Sequence, residues 1–257
     1  IRCGEPFALA RYGDGELSLL ERRSYKGIDA WSFDPDSDEL GARRISELIA
    51  DGFALAEDYD GMHLGLPFYF CAEGTHDRDR HQLLKGGGGN NQWLRDFAPH
   101  LHRRIPPRQL VYSWQWSNLN YGPVFEELLS DLRKLSFLTI VICSENIRKT
   151  RTASDQLPSW VWSVLTVPDD GVAWFTTHMQ EIEHSARALA RAVNGVIFLF
   201  AAGPLSNMLI PLMTRANRAN TYIDVGGTID WELKGVRSRD FHPKADNPVV
   251  TRDTNYI

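Results

Sequence analysis

Two carboxylates and two glycines follow the first apolar segment of the chain, where the sequence runs Arg-Tyr-Gly-Asp-Gly-Glu. Asp14 and Glu16 lie on either side of Gly15. Carboxylate oxygens are the ligands that Mg²⁺ and Mn²⁺ prefer, and such ions often also bind substrate phosphates. Gly13 and Gly15 allow close backbone approach, and Arg11 could pair with the carboxylates or contact a phosphate. The segment predicts a divalent-metal site; the alternative is that Asp14 or Glu16 only caps a helix.

A second candidate site is the small-residue turn Ala-Ala-Gly-Pro-Leu-Ser-Asn, which follows a buried-type apolar run. Gly203 would end the strand, and Pro204 is suited to the first position of a helix. The free amides at a helix start bind anions. We therefore expect an anion such as a phosphate near the amides of Leu205 and Ser206, although many strand-to-helix turns without a ligand look similar.

A third group of carboxylates surrounds the last β-rich run of the sequence. Asp224 lies inside that run, where a charge needs a partner. Asp230 and Glu232 follow it by a few residues, a position suited to a general base. We prefer Asp230 as the base, with binding of a substrate hydroxyl as an equal alternative for it. An exposed acidic turn without function is the remaining interpretation.

The segment 114–121 mixes aromatic and amide side chains, Trp-Gln-Trp-Ser-Asn-Leu-Asn-Tyr. Aromatic rings stack on sugar or base rings, and amides bond to their edges. Asn118 is thus a candidate ligand of the nucleotide or sugar. The alternative is a set of core aromatics beside an asparagine turn.

The elements that must position these residues alternate between strand and helix. A parallel sheet is indicated because apolar runs of strand length are joined to helices by short links. Ligands of such sheets lie beyond the carboxyl ends of the strands. The pattern predicts one α/β domain over residues 1–257, Rossmann-like, with a mostly parallel sheet flanked by helices. The predicted strands are 7–11, 62–66, 137–143, 196–202 and 221–225; the predicted helices are 16–23, 124–135, 205–217 and one opened by a capping box of Thr177 and Gln180.

Composition excludes several classes of protein. The 257 residues carry a formal net charge of −5, with no basic stripe, so no nucleic-acid partner is expected. The 3 cysteines have no Cys-x-x-Cys spacing, which argues against a disulfide scaffold or a thiolate zinc site and favours the cytoplasm. No apolar run reaches the ~20 residues of a membrane helix, so no transmembrane segment is expected. A nicotinamide dehydrogenase is not expected either, because no Gly-x-Gly-x-x-Gly opens a strand–helix turn.

The order of these motifs resembles the GT-D-fold glycosyltransferases, a family first described as a domain of unknown function in bacterial adhesin-glycosylation and capsule clusters. The resemblance extends over nearly the whole chain. It rests on the opening Arg-Tyr-Gly-Asp-Gly-Glu-Leu motif and on segments 63–67, 117–121, 202–204 and 223–226, with Asp230 beyond them.

The resemblance implies a Rossmann-like sheet, a nucleotide-sugar donor such as a UDP-sugar, and a divalent metal, Mn²⁺ or Mg²⁺, near Asp14 and Glu16. The chain departs from the family after Asp224, where Gly226-Gly227-Thr228 replaces a segment with an early histidine. The role of that histidine is therefore not carried over.

The expected activity is hexosyl transfer to a glycan or glycoprotein acceptor, as in polysaccharide biosynthesis, by a protein that could form a homo-oligomer. The alternatives are a Mg²⁺-dependent nucleotide-sugar hydrolase or other phosphate-processing enzyme, and a non-catalytic nucleotide-binding module.

Overall fold

The computed structural model describes residues 4–23, 34–66, 105–112, 123–134, 137–145 and 157–234. Within these ranges seven strands form one sheet in the order β3-β2-β1-β7-β6-β4-β5, and all of the strand pairings are parallel. This confirms the predicted α/β class. The strands are β1 Ala8–Arg11, β2 Met62–Leu66, β3 Leu110–Tyr112, β4 Thr139–Ser144, β5 Ser163–Val167, β6 Ile197–Ala201 and β7 Thr221–Asp224.

Helices cover both faces of the sheet, which explains why its central strands are apolar on both sides. One core lies between the sheet and α1, α2, α4, α5 and α6; the other lies beneath α3 and α7. The helices are α1 Asp14–Leu20, α2 Glu39–Asp58, α3 Pro123–Lys134, α4 Gly171–Thr177, α5 Met179–Ala192, α6 Pro204–Ala216 and α7 Asp230–Lys234. Short 3₁₀ turns cover Pro107–Gln109 and Gly226–Ile229.

Helix α6 is the central helix of the larger core. All its residues from Pro204 to Thr214 are buried, and it packs against α2, α5 and β1. Pro204 occupies the start of the helix, as predicted, where its missing amide hydrogen costs nothing. Pro211 lies inside the helix, yet the helix continues to Ala216.

Helix α2 has a glycine in its middle because a tyrosine of the β1–α1 turn approaches it there. A Cβ on Gly52 would overlap the hydroxyl oxygen of Tyr12 and lie 3.2 Å from its Cζ. The same hydroxyl donates to the main-chain oxygen of Ile49 at 3.4 Å. The fully buried Tyr12 ring also contacts Phe53, with ring centroids 4.6 Å apart. The turn that carries the candidate carboxylates is thus anchored in α2.

Two local predictions are wrong. Helix α1 begins at Asp14 rather than at Glu16, so both carboxylates belong to its first turn. No capping box opens α5, since its N-cap is His178 without a side-chain bond; the Thr177 hydroxyl donates instead to the Trp174 carbonyl oxygen at 2.9 Å. The sequence pattern also failed to predict helices α2, α4 and α7 and strands β3 and β5.

No helix in the described ranges is both long enough and apolar enough to span a membrane. The prediction of a single domain over residues 1–257 stays a prediction.

Candidate functional site

The neighbouring strands β1 and β7 end in an arginine and an aspartate that contact each other. Arg11 is the last residue of β1 and Asp224 the last of β7. Arg11 Nη2 lies 3.1 Å from Asp224 Oδ1, and the two side chains are only 19% and 6% exposed. The amide of Gly226 also donates to Asp224 Oδ1, at 3.0 Å. The structure therefore supplies Asp224 with the partner that a buried charge requires.

Gly226 is part of this contact. Its φ is +50°, in the left-handed region, and a Cβ there would overlap the Arg11 guanidinium. A glycine at this position lets the chain leave β7 while it stays in contact with the arginine.

Glu16 has a structural contact in addition to its candidate role. It is the third residue of α1, and its Oε2 accepts a hydrogen bond from the Gly13 amide at 2.8 Å. Glu16 therefore does cap the helix. Capping does not exclude a ligand role, because a carboxylate has further lone pairs on both oxygens.

The folded protein raises the pKa of two neighbouring carboxyl groups, those of Glu16 and Asp224. Burial raises the pKa of Glu16 to about 7, and the negative charge of Asp224 contributes in the same direction. Burial also raises the pKa of Asp224, while the Arg11 guanidinium opposes that rise. Two desolvated acidic groups that repel each other form an environment that a cation stabilises.

The donor chemistry of the first turn of α1 fits a hard divalent ion, since it consists of oxygen atoms. Asp14 is the first residue of the helix, and its side chain lies outside the described part of the structure. Among the side chains that are described, no three His, Cys, Asp or Glu residues form a ready metal cluster. Metal binding by Asp14 and Glu16 therefore stays a prediction.

The turn before α6 differs in one respect from its predicted form. The Ser206 amide donates to the Gly203 carbonyl oxygen at 2.9 Å, so it is not free. The Ser206 hydroxyl accepts from the Ala202 amide at 3.3 Å, which closes the turn further. Leu205 and Ser206 are both fully buried, and Gly203, with φ +57°, is the partly exposed residue of the turn. Phosphate binding at this turn stays a prediction.

The predicted general base is buried. Asp230 is the first residue of α7, directly after the 3₁₀ turn, and is 7% exposed. The alternative of an exposed acidic turn is therefore wrong for Asp230, because the helix folds it against the protein. Its role as base or sugar ligand stays a prediction. Asn118 lies outside the described residues.

One polar residue of the site was not singled out from the sequence. Asn207, in the first turn of α6, donates from Nδ2 to the main-chain oxygen of Arg11 at 2.5 Å. The two residues are 196 positions apart. The available signal was weak: Asn207 and Ser206 are the polar residues at the start of an otherwise apolar helix.

No family model and no curated protein matches the chain. Three solved structures do, each with 17% sequence identity. One is described as a new glycosyltransferase (DUF1792) from Streptococcus sanguinis; its TM-score is 0.54, and the match covers 90% of this chain and 80% of that one.

The other two structures are a selenomethionine form of domain of unknown function 1792 and a protein described as that domain with a distinct glycosyltransferase fold. Both have TM-scores of 0.51, with 91% of this chain and 84% of theirs covered. The chain therefore shares the glycosyltransferase fold of these proteins, as the sequence resemblance implied.

Proposed function

We propose that the protein is a metal-dependent glycosyltransferase that moves a hexose from a nucleoside-diphosphate sugar, with UDP as the expected nucleotide, to a glycan or glycoprotein acceptor. The shared fold supports the reaction class. The observation that carries the proposal is the group formed by the buried Asp224 and the half-buried Arg11 and Glu16 where β1 and β7 end and α1 begins. Ligands of parallel sheets bind at this edge.

Within this proposal Asp14 and Glu16 hold Mn²⁺ or Mg²⁺, which when bound supplies positive charge to the departing diphosphate. Arg11 adds a fixed positive charge, held in place by Asp224 and by its contact with Gly226. The Gly203 turn approaches the diphosphate from the start of α6. Preorganised charge of this kind stabilises a leaving group without reorganisation at the moment of reaction.

The metal role can be tested without turnover. Mn²⁺ binding measured by calorimetry should be lost or strongly weakened in Asp14→Asn and Glu16→Gln. Glu183→Gln is the control, since Glu183 is a buried carboxylate outside the candidate site that pairs with Arg44 of α2. Unchanged Mn²⁺ affinity in both site variants would remove the pair from metal binding.

The reaction class is tested by the release of nucleoside diphosphate from a panel of nucleotide sugars with Mn²⁺. Release that requires a glycan acceptor supports a transferase. Equal release without an acceptor would identify a hydrolase, and binding without release a nucleotide-binding module; either result contradicts the proposal.

Asp230 would take the proton of the acceptor hydroxyl or bind a hydroxyl of the donor sugar. Asp230→Asn should lower kcat with donor affinity kept in the first case, and should weaken donor binding first in the second. A variant with both quantities unchanged contradicts both roles. Polysaccharide biosynthesis, a cytoplasmic location and homo-oligomer formation stay expectations.

A further inference from the structure

Asn207 is a fully buried polar residue with half of its side chain unused. Its Nδ2 donates to the Arg11 carbonyl oxygen at 2.5 Å. Its Oδ1 is also buried and accepts no hydrogen bond within the structure described. A buried carbonyl without a partner is destabilising by about as much as one hydrogen bond contributes. Asn207 therefore adds little net stability where it stands.

Another buried asparagine of the same core shows the contrast. Asn220 is 1% exposed, and its Oδ1 accepts from the Val196 amide at 3.0 Å. Its Nδ2 lies 3.0 Å from the carbonyl oxygens of Ala190 and Val193, which it bonds at the end of α5. Both ends of Asn220 are satisfied, as expected for an asparagine that is present for stability.

The single bond of Asn207 joins the two turns that the proposed function requires. Arg11 is the residue from which β1 enters the carboxylate turn, and Asn207 lies four residues after Gly203. The Arg11 side chain is held separately, by Asp224. Asn207 thus fixes the main chain of the turn, and Asp224 fixes the arginine side chain.

We propose that Asn207 is a positioning residue that sets the spacing between the carboxylate turn and the Gly203 turn, and so the placing of the donor diphosphate between them. The inference rests on the proposed function. Charge on the diphosphate grows as the sugar leaves, so a change in this spacing acts mainly on the transition state. Misplacement by about 1 Å can lower a rate by about 100-fold.

The test compares Asn207→Leu with two controls. Leucine has a similar size and removes the unused oxygen, but it leaves the Arg11 carbonyl oxygen without this donor, so we expect a Tm no more than about 5 °C below the wild type. Turnover should fall by about 10-fold or more, with a donor KM changed less than about threefold. Asn207→Ala, which cannot overpack the core, is measured beside it in case the leucine variant does not fold.

Thr214→Val is the control for the helix. Thr214 is 1% exposed in α6, and its hydroxyl donates to Ile210 within that helix, at 2.7 Å. It should keep the wild-type kcat. Asn220→Leu is the control for a structural asparagine and should lower Tm strongly. A kcat of Asn207→Leu within twofold of the wild type, or one no lower than that of Thr214→Val, would overturn the proposal.

A second measurement does not depend on activity. Amide hydrogen exchange over residues 9–20 should be faster in both Asn207 variants than in Thr214→Val. Unchanged exchange refutes the positioning role even if turnover is lost. If exchange is faster in the Asn207 variants but the wild type transfers no sugar, the proposed function is refuted. The spacing then has no catalytic purpose, although Asn207 still fixes the main chain of the turn.

Discussion

Replacing Glu16 by glutamine should stabilise the protein at alkaline pH. Glutamine can still accept the hydrogen bond from the Gly13 amide, which caps α1. It cannot ionise. The folded protein raises the pKa of Glu16 from its ordinary 4.5 to about 7. Between these values the unfolded chain loses its proton while the folded chain keeps it, so stability falls as pH rises.

The size of the effect follows from the two pKa values. Ionisation of Glu16 in the unfolded chain lowers the wild type's free energy of unfolding, relative to acid pH, by at most about 1 kcal/mol at pH 5 and about 3 kcal/mol at pH 8. Glu16→Gln escapes both losses, so its advantage should grow by about 2 kcal/mol between these pH values. Urea denaturation in EDTA at pH 5 and pH 8 measures the difference.

Glu183→Gln provides a control of opposite sign. Hydrogen bonds from Arg44, foremost, and from Arg187 lower the pKa of Glu183. That substitution should destabilise at pH 8 and less so in acid. If Glu16→Gln gained nothing over the wild type between pH 5 and pH 8, burial of an ionisable Glu16 would be refuted. Mn²⁺ should stabilise the wild type and not Glu16→Gln, because only the carboxylate is charged.

Three further substitutions test the packing around the site. Gly52→Ala should lower the free energy of unfolding by about 1–3 kcal/mol despite alanine's better helix propensity, since the Tyr12 hydroxyl oxygen occupies the place of the new Cβ. Adding Tyr12→Phe to the same chain should recover at least half of that loss. Equal stability of Gly52→Ala and the wild type in thermal melts contradicts this. Gln109→Leu should lower the free energy of unfolding by about 2 kcal/mol in urea, because the two hydrogens of Gln109 Nε2 serve three main-chain oxygens at 2.8–2.9 Å, which outweighs its buried Oε1 that accepts no bond within the described residues; a loss below about 0.5 kcal/mol would refute that accounting. Gly226→Ala should lower both Tm and turnover, because its new Cβ would displace the Arg11 guanidinium. Gly195→Ala is the control: its φ is also positive, but nothing lies within 4 Å of its Cβ, so backbone strain should lower Tm alone. Equal effects of the two substitutions on turnover would count against the arginine contact.

The strands that the sequence predicted share one property, coverage on both faces. Strands β4 and β6 are buried along nearly their whole length, so their residues form continuous apolar runs. Strand β5 lies at the sheet edge and is mostly half-buried, so Ser163 and Thr166 interrupt its pattern. Helix α2 escaped prediction although a clear N-cap, Asp38, precedes it; its glycine is explained by Tyr12, a residue that is distant in sequence.

Some features of the candidate site could be predicted from the sequence, and others depend on the fold. Carboxylates beside glycines after a strand are visible in the sequence, because residue type and local order suffice to suggest their chemistry. The Arg11–Asp224 pair joins positions 213 apart, so it appears only once β1 and β7 are known to be neighbours. The pKa of Glu16 depends on burial and on that pair. The hydrogen bond from Asn207 could not be predicted either, since its partner is a main-chain atom 196 positions away in the sequence.

The position of β7 in the sheet has a consequence for folding. It is the last strand in chain order among those described, yet it lies between β1, the first, and β6. Pairing β1 with β7 closes a loop of more than 200 residues, and contacts so distant in sequence make folding slow. During synthesis β1 can pair with β2 early, but its other edge must wait until β7 has been made. The two halves of the candidate site are then assembled in one late step. Refolding followed through a probe near Arg11 should accordingly lag behind the burial of β4 and β5.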